Sequence, residues 1–101
     1  MSKQVLSERA HEIIVEMVQL QLDLVDLTLT EPEPNHENLV IAGNQMLDLA
    51  QISLGFGMSQ EFAKSLHDLG GVLLYITNPP IFKRDYQKAK EVYLSTFEPK
   101  I

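Results

Sequence analysis

From Val18 to Thr30 the chain reads VQLQLDLVDLTLT, leucines alternating with polar residues as on a strand with one wet face. The same leucines belong to a row that begins upstream: Leu6, Ala10, Ile13, Met17, Leu20, Leu24 and Leu27, spaced 4, 3, 4, 3, 4, 3. That is an a/d heptad sustained over three repeats. A second apolar row, Ile14, Val18, Leu22, Val25 and Leu29, runs beside it. Interleaving of the two rows produces the apparent alternation, which breaks at Leu24-Val25, and leucine favours helix over strand. The pattern predicts one helix over about residues 7–29, N-capped by Ser7. Its apolar face covers more than half the circumference and predicts contact with more than one neighbouring helix.

Pro32 and Pro34 end this helix, and Asn35 is placed to cap the next, over about residues 36–54. Leu39, Ala42, Met46 and Leu49 form one row of the second helix; Gly43, Leu47, Ala50 and Leu54 form the next. Gly43 and Ala50 predict a close backbone approach. Gly55-Phe56-Gly57 supplies a turn, with Gly55 as the expected residue just past the helix end. Ser59 caps a third helix carrying Phe62, Leu66, Leu69, Leu73 and Ile76 at spacings of 4, 3, 4, 3. Gly70-Gly71 interrupts it at a cost of about 1 kcal/mol per glycine. The rival reading ends the helix there and leaves residues 72–77 as a short strand, which would make the fold α+β. Asn78-Pro79-Pro80 opens the last helix, with an aromatic-rich stripe of Phe82, Tyr86, Ala89, Tyr93 and Phe97. Four helices with short connections predict an all-α antiparallel four-helix bundle, in which the first and fourth helices are neighbours. The 101 residues fit one domain.

Composition narrows the chemistry. There is no cysteine, hence no disulfide, thiolate metal site or cysteine nucleophile. The opening MSKQVLSERAHE is too polar for a signal peptide, and no apolar run approaches a membrane span, so a cytoplasmic protein without membrane contact is expected. Net charge is −6, which disfavours binding to phosphate backbones. The charge is also uneven: residues 1–37 hold eight acids against two bases, and residues 81–101 hold five bases against three acids. The two ends therefore attract each other, within one chain or between two.

The acids of the first helix are ordered. Glu8, Glu12, Glu16, Asp23 and Asp26 share one narrow sector opposite the apolar rows, with Gln19 in the gap. Like charges one turn apart repel by a few tenths of a kcal/mol each. The stripe is either a surface for a protein with a basic face or a solvated flank neutralised by Lys83, Arg84, Lys88 or Lys90. Metal binding has little support. Glu8-Arg9-Ala10-His11 has the E-x-x-H spacing of di-iron bundles, but no second helical copy exists, and Val15 stands where an H-E-x-x-H needs its second histidine.

Ser65-Leu66-His67-Asp68-Leu69-Gly70-Gly71 loosely resembles the histidine phosphotransfer motif H-x-L-K-G, found in helical bundles of similar size. His67, Leu69 and Gly71 match; Gly70 replaces the family's lysine, and Lys64 lies one turn earlier. The resemblance implies a phosphoacceptor His67 assisted by Lys64. Leu49-Ala50, Gly57-Met58-Ser59, Phe62 and Leu66 faintly resemble a helix-turn-helix, which implies a nucleic-acid-associated regulator. The turn is too long, and SQEFAKSLHDL has no arginine to read bases. No nucleophile elbow, phosphate loop or dinucleotide fingerprint is present, and no cofactor is implied. The expected function is a small non-enzymatic helical interaction protein of the regulatory, inhibitor or immunity type. It would bind a basic protein partner and self-associate as a homodimer, because the apolar faces and the aromatic stripe exceed what four short helices bury.

Overall fold

A computed structural model describes the backbone of residues 3–75 and 79–96 and the side chains of residues 8–75 and 82–96. It is a four-helix bundle: α1 (Lys3–Leu29), α2 (His36–Gly55), α3 (Gln60–Leu74) and α4 (Pro79–Ser95), with no strand among the described residues. Successive helices run antiparallel. His11 near the start of α1 meets Phe56 beyond the end of α2, and the Phe62 ring at the start of α3 lies 5.4 Å from that of Tyr93 near the end of α4. α1 packs on α2, α2 on α3 and α3 on α4; α1 and α4 close the bundle through side chains alone.

The helix ends follow from local chemistry. Asn35 Oδ1 accepts from the Asn38 N–H at 3.3 Å, and Ser59 Oγ accepts from the Phe62 N–H at 3.1 Å, so both predicted caps form. The predicted cap at Ser7 does not: α1 already runs from Lys3, and Ser7 lies inside it. At the end of α2 the left-handed residue is Gly57 (φ 80°), not Gly55, which is the last helical residue. The Met58 N–H bonds the Ser53 carbonyl and the Gly57 N–H bonds the Leu54 carbonyl, the paired bonds of a Schellman cap.

The core takes one row from each helix, centred on Val18, Leu22 and Val25 of α1, Met46 and Leu49 of α2, Leu66, Leu69 and Leu73 of α3, and Phe82, Tyr86 and Tyr93 of α4. The helix α3 continues through Gly70-Gly71 to Leu74, so the strand reading of residues 72–77 is wrong as far as Tyr75, the C-cap; residues 76 and 77 lie outside the described residues, as do Phe97 and the Ile76 side chain. The reason lies across the interface. A Cβ on Gly70 would stand 2.8 Å from the Gly43 carbonyl oxygen, and one on Gly43 would stand 3.0 Å from the Gly70 carbonyl oxygen. The two glycines let the α2 and α3 backbones touch. The predicted close approach of Gly43 is therefore met, with Gly70 as its partner. Gly71 has no such role: nothing lies within 4 Å of its missing Cβ.

Two adjacent glycines should thus respond oppositely to the same change. Gly71→Ala should raise stability by about 0.5–1 kcal/mol through helix propensity. Gly70→Ala should lower it by about 1–3 kcal/mol by forcing the helices apart. Urea unfolding of the two variants against wild type measures both, and equal effects would remove the close-contact account.

Candidate interaction surface

Helix α1 divides its circumference into three sectors about a third of a turn apart, at 3.6 residues per turn. One is the core row, with Val18 and Leu22 fully buried. The second is the acidic stripe. The third is the heptad row, and it is not in the core: Ile13, Met17, Leu20, Leu24 and Leu27 are 40, 47, 58, 57 and 66 % exposed. The two apolar rows that look alike in sequence thus have different fates. The backbone of α1 contacts α2 alone, and one neighbour covers one sector.

Helix α2 extends the exposed face. Ile41 lines the same groove as Leu24, together with Gln21, Thr28, Asn38 and Gln45. Ile52, three turns farther along α2, is 45 % exposed, and Phe56 beyond it is 48 % exposed. His11 ties that end together. Its Nε2–H donates to the Phe56 carbonyl at 2.9 Å, which fixes the tautomer because a carbonyl only accepts. Of the apolar excess expected on the wide helix faces and the aromatic stripe, the stripe holds little among the described residues, since Phe82, Tyr86 and Tyr93 are buried. The exposed large apolar side chains gather on α1 and the adjoining edge of α2, with Tyr75 and Val92 apart from them.

Of the acidic stripe, Glu8, Glu12, Glu16 and Asp23 are exposed. Arg9 reaches Glu12 at 3.1 Å in an open ion pair, and Gln19 Nε2 donates to Asp23 Oδ1 at 2.9 Å. Among the described residues only Asp26 of the stripe meets the basic end of the chain. Its Oδ2 accepts from Lys90 Nζ at 2.6 Å and its Oδ1 from the Tyr86 hydroxyl at 2.8 Å, in a groove also lined by Lys83. Arg84 pairs instead with Asp85 at 3.4 Å, and Lys88 lines the separate α3–α4 groove. Among the described residues two of the five acids are thus ion-paired within the chain, Glu12 with its neighbour Arg9 and Asp26 with Lys90, and α4 reaches Asp26 alone.

The remaining candidates are dispersed. His67 and Lys64 are exposed neighbours on the outer face of α3, with open space at Gly71 one turn beyond the histidine. Among the described residues no three of His, Asp and Glu converge as a metal site would require. No helix among them is long and apolar enough to cross a membrane. No protein-family model, curated protein or solved structure matches the chain.

Burial raises the Tyr86 phenol well above its ordinary value of 10.0, and the hydrogen bond to Asp26 and the charges of Asp26 and Asp23 raise it further. Burial alone raises Tyr93. Above pH 10 the unfolded chain releases these protons while the folded chain keeps them, so the tyrosines' contribution to stability is intact below pH 10 and is lost as pH rises beyond it. Tyrosinate absorbance from Tyr86 and Tyr93 should therefore develop together with loss of helical circular dichroism, not before it. Removing the shared acceptor with Asp26→Ala should cost about 1–3 kcal/mol, since it leaves a buried hydroxyl unsatisfied. In a Tyr86→Phe background a double-mutant cycle should recover much of that loss.

Proposed function

We propose that this chain is a non-enzymatic helical interaction module that binds protein through the outer face of α1 and the adjoining edge of α2. The observation that carries the reading is the exposed heptad row. Scattered apolar side chains are ordinary on protein surfaces, whereas a continuous row with a neighbouring apolar edge is characteristic of interfaces. At roughly 200 Å² of full surface per large apolar side chain, the five residues of α1 with Ile41, Ile52 and Phe56 expose on the order of 800 Å². One partner of a standard interface contributes about 800 Å². The acidic stripe beside the row supports a steering role toward basic surfaces, since rim charge acts chiefly on encounter. Four of its five carboxylates have no basic partner in α4.

Immobilised chain, exposed to cytosol at low and high salt, tests the reading. Leu20→Glu with Leu24→Glu should lower retention of bound protein by about tenfold or more, as expected for buried anchors. Glu12→Lys with Glu16→Lys should weaken retention and flatten its salt dependence. Equal retention by wild type and both variants would sink the reading. A phosphotransfer reading keeps one point in its favour, the open space beside exposed His67. Acid-labile phosphoryl label that is absent from His67→Ala would establish it.

A further inference from the structure

We infer that the exposed row of α1 is the seam of a parallel, in-register two-stranded coiled coil with a second copy of this chain. The inference rests on the reading of that row as a binding surface and names its occupant. The first ground is period. The buried row, Ile14 to Leu29, has spacings of 4, 4, 3, 4 and departs from a strict heptad, as on a straight helix packed on α2. The outer row, from half-buried Ala10 to exposed Leu27, keeps 3, 4, 3, 4, 3. A strict repeat near 3.5 stays on one line only when two helices of similar length supercoil left-handedly about each other. At 27 residues, or about 40 Å, α1 is longer than α2, α3 or α4, which have 20, 15 and 17 residues. The helix that matches its length and period is α1 of another copy.

The second ground is charge at the rim. The heptad places Leu20 and Leu27 at d and Met17 and Leu24 at a, the pattern that puts Glu16 and Asp23 at g and Gln21 and Thr28 at e. In a parallel pair, g residues face the partner's e residues, so Glu16 meets Gln21 and Asp23 meets Thr28, with no like charges opposed. In an antiparallel pair, g faces g, and Glu16 would oppose Asp23 twice. A basic partner helix would find acids along only one rim. The third ground is area. The five seam residues of α1 expose on the order of 500 Å², the adjoining α2 edge supplies the rest of one partner's share of a standard interface, and on a two-fold axis the same face serves both copies.

Each copy carries net charge −6, so the copies repel at long range and added salt should tighten the dimer, whereas binding to a basic protein would weaken. Purified full-length chain in sedimentation equilibrium at about 100 μM, a concentration that populates any dimer with a Kd in the micromolar range, should give twice the 11.4 kDa monomer mass. Dissociation should become weaker as salt rises from about 0.1 M to about 1 M, over which the Debye length falls from about 10 Å to about 3 Å. Leu20→Glu with Leu24→Glu should yield a monomer of unchanged helical circular dichroism, because both residues already face solvent in the isolated chain. With no native cysteine to interfere, Leu27→Cys should form a 27–27 disulfide across the parallel seam under mild oxidation. A monomer at this concentration, a dimer that survives the Leu20/Leu24 change, or a dimer that forms no disulfide at position 27 would each overturn the inference. A monomeric chain that still loses a cytosolic protein on that double change would overturn the self-pairing while leaving the interaction module standing. Loss of both would overturn both.

Discussion

The backbones of α2 and α3 touch at Gly43 and Gly70, and the rest of the bundle is arranged around that contact. A 15-residue helix such as α3 is marginal by itself and draws its stability from packing. Leaving out two Cβ atoms brings the pair into contact along its backbones and increases the dispersion contacts each residue makes. The pair then offers two flanks. α4 lies on α3 and α1 lies on α2, and the gap between α1 and α4 is spanned by the long side chains of Tyr86 and Lys90 reaching Asp26. Closure of the bundle is therefore polar at its rim and apolar only beneath it.

That arrangement dictates what α1 shows to solvent. With backbone contact to α2 alone, one sector of α1 is covered and two are not. The uncovered sectors are opposite in character, one apolar and one acidic, on the same 27-residue rod. The carboxylates set like charge beside the apolar row, and like-charged molecules repel at distances where apolar contact has not yet begun. Either proposed partner has to meet that field, a second copy by screening it and a basic surface by complementing it.

Most of the architecture is legible in the residue pattern, because helix periodicity, proline breaks and capping residues act locally. Asn35, Ser59 and Pro79 mark helix starts within a residue or two of the observed ones. What is not legible is which of two adjacent apolar rows is buried, since both satisfy the same local rule and the choice is made by neighbours far away in sequence. The same limit applies to Gly70. Read alone it breaks a helix; read with Gly43 it is the point where two helices meet. The acidic stripe is legible as a stripe, but its single tie to α4 depends on the reach of Tyr86 and Lys90 from another helix.

The polar tie resolves the ambiguity between the rows. Ile14, Val18, Leu22, Val25 and Leu29 bury about as much hydrocarbon as Ile13, Met17, Leu20, Leu24 and Leu27 would, so burial alone barely prefers one rotation of α1 over the other. Turning α1 by about a third of a turn would bury the outer row and swing the present core row into the acidic sector, but it would also carry Asp26 away from α4. The Tyr86 hydroxyl would then be buried without its acceptor, and Lys90, 22 % exposed at its side chain, would lose its counter-charge. An unsatisfied buried hydroxyl costs about 1–3 kcal/mol, and an unpaired part-buried ammonium adds to it. Two nearly equal hydrophobic solutions are thus separated by one carboxylate. The side chain that ties the acidic stripe to α4 also sets which apolar row faces solvent.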